Sequence, residues 1–358
     1  MSTSRRSVIF HGKTVVIAGV TALLLWWFFK DLDLRQVGQA IAQAHVGLLA
    51  LALLVTVQTY AIRAWRWQHL LAPVGRARYS VAFRTTVIGF AATFLLPGRL
   101  GEILRPYLLA RAERFSAVAV FATVIVERAL DLAAVLLLFA LFVLIGPMPV
   151  SVDPNMGALL NGAAFLASGG ALTGLVVMAV LAGHPDRLGR LAGRVTRMLP
   201  GRLADGVATL VRAFAEGLAV MRRPRPLILA FGHSLLLWVS IGLGVWLASL
   251  AFGVTFPFMG SFLVLMFLVV GVAIPTPGGA GTFHLAYSIA VTSFFGAVAE
   301  PAGAAALVLH AISFVPVSLL GLWFMAQDGL TLGGLRGMRS RAEAAERRPD
   351  PNPEEASS

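Results

Sequence analysis

Residues Ala117–Ile145 form a stretch of 29 residues in which Glu127, Arg128 and Asp131 are the only charged side chains. A helix of that length extends about 44 Å, more than the ~30 Å hydrocarbon thickness of a bilayer. Comparable apolar runs recur at Thr14–Phe29, Val46–Ala61, Gly157–Ala182, Leu227–Phe252 and Pro301–Met325. Three shorter ones lie at Ser80–Pro97, Ser261–Ile274 and Thr282–Val298. Composition agrees: 58% of residues are hydrophobic and 13% charged, against roughly 25% charged in soluble domains. Too little polar surface exists to cover soluble domains of this mass. The chain reads as all-α, a polytopic transmembrane helical bundle.

A formal net charge of +12 would suit a polyanion-binding surface, but the basic residues are placed as an orientation signal. Of the 29, 26 fall at the N-terminus, in Arg63–Arg114, in His184–Arg225 and in the tail. The positive-inside rule then puts both termini in the cytoplasm, and nucleic acid is not expected as a partner. The start up to Lys13 reads as a cytoplasmic N-terminus (residues 1–13). The run ending in Trp26-Trp27-Phe28-Phe29 reads as a retained span, since a cleavable leader would show small residues there. The transmembrane region covers 14–326 and includes a cytoplasmic basic segment at 184–226. Residues 327–358, with alternating charges and three prolines near the end, read as a disordered cytoplasmic tail.

Asp31–Ala44 has near-helical spacing of apolar residues and predicts a short helix on the membrane surface. The sequence Arg63-Ala64-Trp65-Arg66-Trp67 after the second run suits the headgroup zone, where indoles sit and guanidinium groups snorkel.

Two apolar runs are broken alike, by Pro97-Gly98-Arg99-Leu100-Gly101 and by Pro275-Thr276-Pro277-Gly278-Gly279-Ala280-Gly281. In lipid, unpaired backbone survives only inside protein or beside a wet cavity. A matched pair of Pro/Gly interruptions in two halves points to a transporter's central site in an inverted-repeat-like arrangement. Counting the broken segments as re-entrant gives six full spans; counting them as spans gives about eight.

Within Ala117–Ile145, Glu127 and Asp131 are i,i+4, and Arg128 is i,i+3 from Asp131. Each charge at the bilayer centre costs roughly 2.5–3.5 kcal/mol on insertion scales. Three together therefore imply a buried or hydrated site. Two acids and one Arg leave a net negative charge, for which Arg99 and Arg105 are the evident counter-ions. Arg99, Glu102 and Arg105 stand at successive i,i+3 steps and read as an entrance or headgroup site. His284 follows the second break and is a further candidate, as are Arg63 and Arg66. No cysteine is present, no catalytic or phosphate-loop motif occurs, and neither a metal nor another cofactor is expected.

Taken together, Arg63-Ala-Trp-Arg66-Trp67, Leu96-Pro97-Gly98-Arg99-Leu-Gly101-Glu102 with Arg105, Ala122–Asp131 and Pro275–Gly281 resemble a known family. It is the flippase-like, UPF0104-like membrane family named after the transmembrane domain of lysylphosphatidylglycerol synthases, and the likeness runs from about residue 12 to 326. The resemblance implies a bacterial inner-membrane protein that moves or handles lipids, with lipid-biosynthesis enzymes as conceivable partners. About 30 polar residues follow the membrane part here, so the soluble synthase domain and its lysyl transfer are not expected. The family often carries an acid where this chain has His284. The favoured expectation is a lipid flippase or scramblase without an ATPase motif. A membrane-embedded transferase or accessory factor in lipid or hopanoid synthesis, and a scaffold whose charges only join helices, are the competing ones.

Overall fold

The computed structural model describes residues 19, 21–30, 32–96, 99–146, 162, 169–170, 173, 213–214, 216–274 and 276–329. The anticipated N-terminus, most of the span at Gly157–Ala182, residues 184–212 and 215 of the basic segment, and nearly all of the tail lie outside them. So do Pro97, Gly98 and Pro275.

Among the described residues every regular element is a helix. After helical residues 21–29 comes α1 (Leu34–Gln43), capped by Asp33, whose Oδ1 accepts the Arg35 and Gln36 N–H groups. Then follow α2 (Val46–Leu71), α3 (Tyr79–Leu95), α4 (Gly101–Glu113) and α5 (Ala117–Ile145). The second half has α6 (Pro224–Ala251), α7 (Gly260–Ala273), α8 (Thr282–Phe295) and α9 (Ala299–Gln327). A 3₁₀ turn at Pro277–Gly279 lies between α7 and α8. Among the described residues four helices, α2, α5, α6 and α9, are long and apolar enough to span a membrane, and α3 and α7 are shorter apolar helices.

The two halves repeat one pattern. Helices α2 to α5 have 26, 17, 13 and 29 residues; α6 to α9 have 28, 14, 14 and 29. Arg114 and Gly296 end α4 and α8 in the same left-handed conformation, at φ 58° and 65°, and each is followed within three residues by a 29-residue helix. Packing follows the same rule: α2 lies along α6, while α3 packs on α9 and α7 on α5, so that each half lends its short helix to the other's last long one.

Each broken hairpin closes on a glycine. A Cβ on Gly89 would stand 2.5 Å from the Arg105 Cβ, and one on Gly101 would stand 1.8 Å from the Gly89 carbonyl oxygen. In the second half a Cβ on Gly271 would meet Ala286 at 2.7 Å and the Thr282 carbonyl oxygen at 2.9 Å. Gly89, Gly101 and Arg105 thus match Gly271, Thr282 and Ala286. The two breaks also approach each other: the Arg99 guanidinium donates to the Val272 carbonyl, and a Cβ on Gly278 would stand 3.7 Å from the Phe94 carbonyl oxygen.

The second helix corrects the sequence reading. It runs ten residues past Ala61, and within Arg63–Trp67 two side chains turn inward instead of snorkelling. Arg66 and Trp67 are both 0% exposed. Two apolar clusters flank this level. One gathers Ala64, Trp67, Val120 to Leu130 and Ala230; the other gathers Ala52, Val55, Leu138 to Val143 and Val245 to Phe252.

Candidate functional site: a buried arginine–carboxylate cluster beside the first break

Along α2, α5 and α6 the boundary between the two apolar clusters is polar. Glu127 Oε1 accepts from Arg105 at 2.8 Å and Arg128 at 2.6 Å and is ion-paired with Arg66 at 2.9 Å. Asp131 is bound by Arg66 and lies 3.5 Å from Arg128. It also accepts the indole N–H of Trp238 at 3.0 Å. Arg66 donates further to the Ser234 hydroxyl at 2.9 Å. Four helices therefore converge, with α2 giving Arg66, α4 Arg105, α5 the Glu127-Arg128-Asp131 turn, and α6 Ser234 and Trp238.

Helical spacing explains the fit. Glu127 and Asp131 are one turn apart on the inner face of α5, and Ser234 and Trp238 are one turn apart on α6. Trp67 completes the wall: its Nε1 donates to Thr123 Oγ1 at 3.0 Å, and the Arg105 guanidinium lies 3.9 Å from its ring centroid. Arg63 rests over the Phe90 ring at 4.6 Å.

Two expectations change here. Of the two counter-ions anticipated, Arg105 fills the role and Arg99 does not. Arg99 adopts φ 52° in the break, bonds the Val272 carbonyl and sits 3.7 Å from Glu102, both side chains being about half exposed. Arg66 takes its place. The balance is also reversed, since three guanidinium groups face two carboxylates and the cluster carries a net positive charge.

The cluster is not fully satisfied from within. Arg105 Nε and Nη2, Arg66 Nε and Glu127 Oε2 are buried with no hydrogen-bond partner among the described residues. Arg105 lines a small pocket of about 40 Å³ with Gly89, Thr93, Gly101, Glu102 and Arg128, enough for roughly one water. Arg128 has a side chain 45% exposed, so the site has a deep wall of buried Arg105 and an open lip of Arg128 and Glu102.

The residues of the second break form a different place. Pro277, Gly278, Gly279 and Gly281 make the turn before α8, where Gly278, Gly279 and Gly281 have positive φ. His284 is buried beside it, remote in kind from the ionic cluster, with His310 at 4.7 Å between ring centroids. Ser234, Trp238, Thr123 and Trp67 were not among the expected site residues. The polar pair Ser234 and Trp238, one turn apart in an apolar run, was the available signal.

With that geometry in place, comparison with known proteins is decisive on kinship. The family profile described as "Lysylphosphatidylglycerol synthase TM region" matches residues 13–321. This chain belongs to that family. The match covers α1 to α8 and most of α9, hence both broken hairpins and every member of the cluster. A UPF0104 membrane protein of Methanothermobacter thermautotrophicus is 26% identical over 315 residues, covering 85% of this chain and 89% of the relative. A protein named Glycosyltransferase AglD, from Haloferax volcanii, is 25% identical over 334 residues, covering 84% of this chain but 52% of the relative. The chain thus spans about half of that second protein. Family membership and the long apolar helices make it a membrane protein.

Proposed function

We propose that this member of the synthase TM-region family moves an amphipathic lipid between bilayer leaflets. The observation that carries the reading is the pocket between α3, α4 and α5, where buried Arg105 with unpartnered donors adjoins the half-exposed Arg128. Arginine binds phosphate and carboxylate groups in a forked geometry, and a net-positive cluster at membrane depth favours an anionic group. The headgroup would pass Arg128 and Glu102 towards Arg105 while its tails stay in lipid. The broken backbone at Arg99–Gly101 and Pro277–Gly281 would line the path, as in transporters whose sites lie at interrupted helices. No ATP-binding motif stands in the sequence, so the drive would be a gradient, consumption of the lipid on one side, or none.

The same proposal takes a bacterial inner membrane from the family resemblance, and both termini cytoplasmic from the clustered basic residues. Membrane lipids are its partners, with lipid-biosynthesis enzymes a further class.

Reconstitution tests it. Protein in liposomes should speed leaflet exchange of a lipid with an anionic or lipid-linked headgroup. Arg105→Gln and Arg128→Gln should each slow that exchange by about 10- to 100-fold, the equivalent of one charge-assisted hydrogen bond. Exchange no faster than in empty liposomes for every such headgroup would overturn the reading.

A second reading draws on the likeness to a protein named a glycosyltransferase. Under it, the chain is a membrane-embedded transferase or an accessory factor in lipid synthesis, with Glu127 as acid or base. Product formed from lipid and donor in vitro, and lost in Glu127→Gln, would favour it.

A further inference from the structure

The second break is held in shape by two imidazoles. His310 Nε2 lies 2.8 Å from the Gly278 carbonyl oxygen, and the Gly281 N–H points at His284 Nδ1 at 3.2 Å. Around them the backbone has little stiffness of its own, because Gly278, Gly279 and Gly281 sit at φ 58°, 70° and 82°. Glycine takes such angles freely but resists rearrangement weakly. The matched halves add a second point. His310 is the twelfth residue of α9, as Arg128 is of α5, so the place of a permanent cation in one half is occupied by a titratable group in the other.

We propose that His310 and His284 form a one-proton site that clasps the second break, the proton residing on His310. The hydrogen bonds assign the ring nitrogens. A carbonyl oxygen has no proton to give, so His310 Nε2 carries the hydrogen and its basic lone pair is on Nδ1. The Gly281 amide is a donor, so His284 Nδ1 is bare and that ring carries its hydrogen on Nε2. A proton added to His284 Nδ1 would break the Gly281 bond. One added to His310 Nδ1 breaks nothing and makes the Gly278 bond charge-assisted, roughly twice as strong as a neutral one.

The surroundings favour the same choice. The His310 ring stacks on the face of Phe314 at 4.4 Å, and aromatic faces attract a cation. With the two imidazoles 4.7 Å apart, a second proton would set two like charges against each other, so the pair binds one. Among the described residues the ionisable group in ring contact with His310 is His284. Residue 28 brings a phenyl ring to His284, and α3 brings Phe94 to Phe314. The charge of Arg99 is engaged at Val272, where α7 ends. Glu127 and Asp131 are already bound by guanidinium groups, and this histidine pair is the group beside the second break whose ordinary range lies near neutral pH. The step itself is plain transfer of a proton from hydronium to Nδ1, leaving water: acid tightens the clasp, and loss of the proton loosens it.

Amide hydrogen exchange on the full chain in lipid nanodiscs tests this without reference to lipid movement, so its outcome and that of the translocation assay are independent. After correction for the intrinsic pH dependence of exchange, the peptide covering 276–285 should be at least about threefold better protected at pH 5 than at pH 8. His310→Gln keeps an N–H donor for Gly278 but cannot titrate, and should abolish the difference. His284→Asn keeps an acceptor for Gly281 and should retain it. Nitrogen-15 ring shifts of the unsubstituted protein give the same answer without any variant: His310 Nδ1 takes the proton and His284 Nδ1 stays bare. Equal protection at both pH values, a difference that survives His310→Gln or is lost in His284→Asn, or protonation of His284 first would each overturn the proposal.

Discussion

Arg66 holds more of the site together than any neighbour, because it pairs with both carboxylates, as Arg128 does, and also gives an N–H to Ser234 on α6. Replacing it by Met keeps much of the volume but strands Asp131 and Glu127 among fewer cations. Removing one partner of a buried ion pair typically costs about 3–5 kcal/mol, so Arg66→Met should lower the thermal midpoint in detergent sharply. Combining it with Asp131→Leu, which removes the stranded charge, should restore part of the loss. A double variant no more stable than Arg66→Met would show that the pair is not coupled in this way. The charges on α5 were plain in the sequence, because carboxylates in a 29-residue apolar run have no topological excuse. The role of Arg66 was not. An Arg flanked by Trp just past an apolar run has the same local pattern whether it snorkels to headgroups or turns inward, and only the burial of Arg66 against α5 and α6 separates the two.

Gly89 and Gly101 decide how closely α3 and α4 approach. With Gly101 bare, the α4 backbone lies against the Gly89 carbonyl, and Arg105, one turn later, is brought within reach of Glu127. Gly101→Ala would place a methyl group 1.8 Å from that oxygen, so the hairpin must open. Overpacking of this kind costs typically 1–3 kcal/mol, and the displacement should pull Arg105 away from its carboxylate. A thermal midpoint and exchange rate both equal to wild type would refute the close packing; a fall in both is expected. Gly303 offers a contrast: the nearest atoms to a Cβ there, at 2.9 Å, are the tip of the Leu32 side chain, which can swing aside, so Gly303→Ala should be mild. At this scale the Pro/Gly breaks could be read from the chain, since a proline followed by several glycines strongly disfavours a continuing helix. Their contact with each other could not, because nothing local links Arg99 to Val272 across 173 positions.

Over the whole molecule, the two halves repeat a long–short–short–long order and exchange their short helices. If the halves are inverted, as the basic residues imply, the α4–α5 connection and the α8–α9 connection face opposite sides of the membrane. The chain has no cysteine, so single cysteines report without background. Arg111→Cys should react with an impermeant maleimide from the cytoplasmic side and Val298→Cys from the other; labelling of both from one side would exclude inversion. Much of this scale was open to inspection in the sequence alone: the membrane class, the helical fold, the position of the breaks and the buried charges all follow from hydropathy and from the cost of unpaired polar groups in lipid. Tertiary structure alone decided which arginines meet which carboxylates, and so the sign of the site. Counter-ions come from α2, α4 and α5, helices separated in sequence and joined only by packing, and no periodicity within one helix encodes its neighbour's register. A chain can announce that a charge must be neutralised, but the partner is chosen by which helices end up side by side.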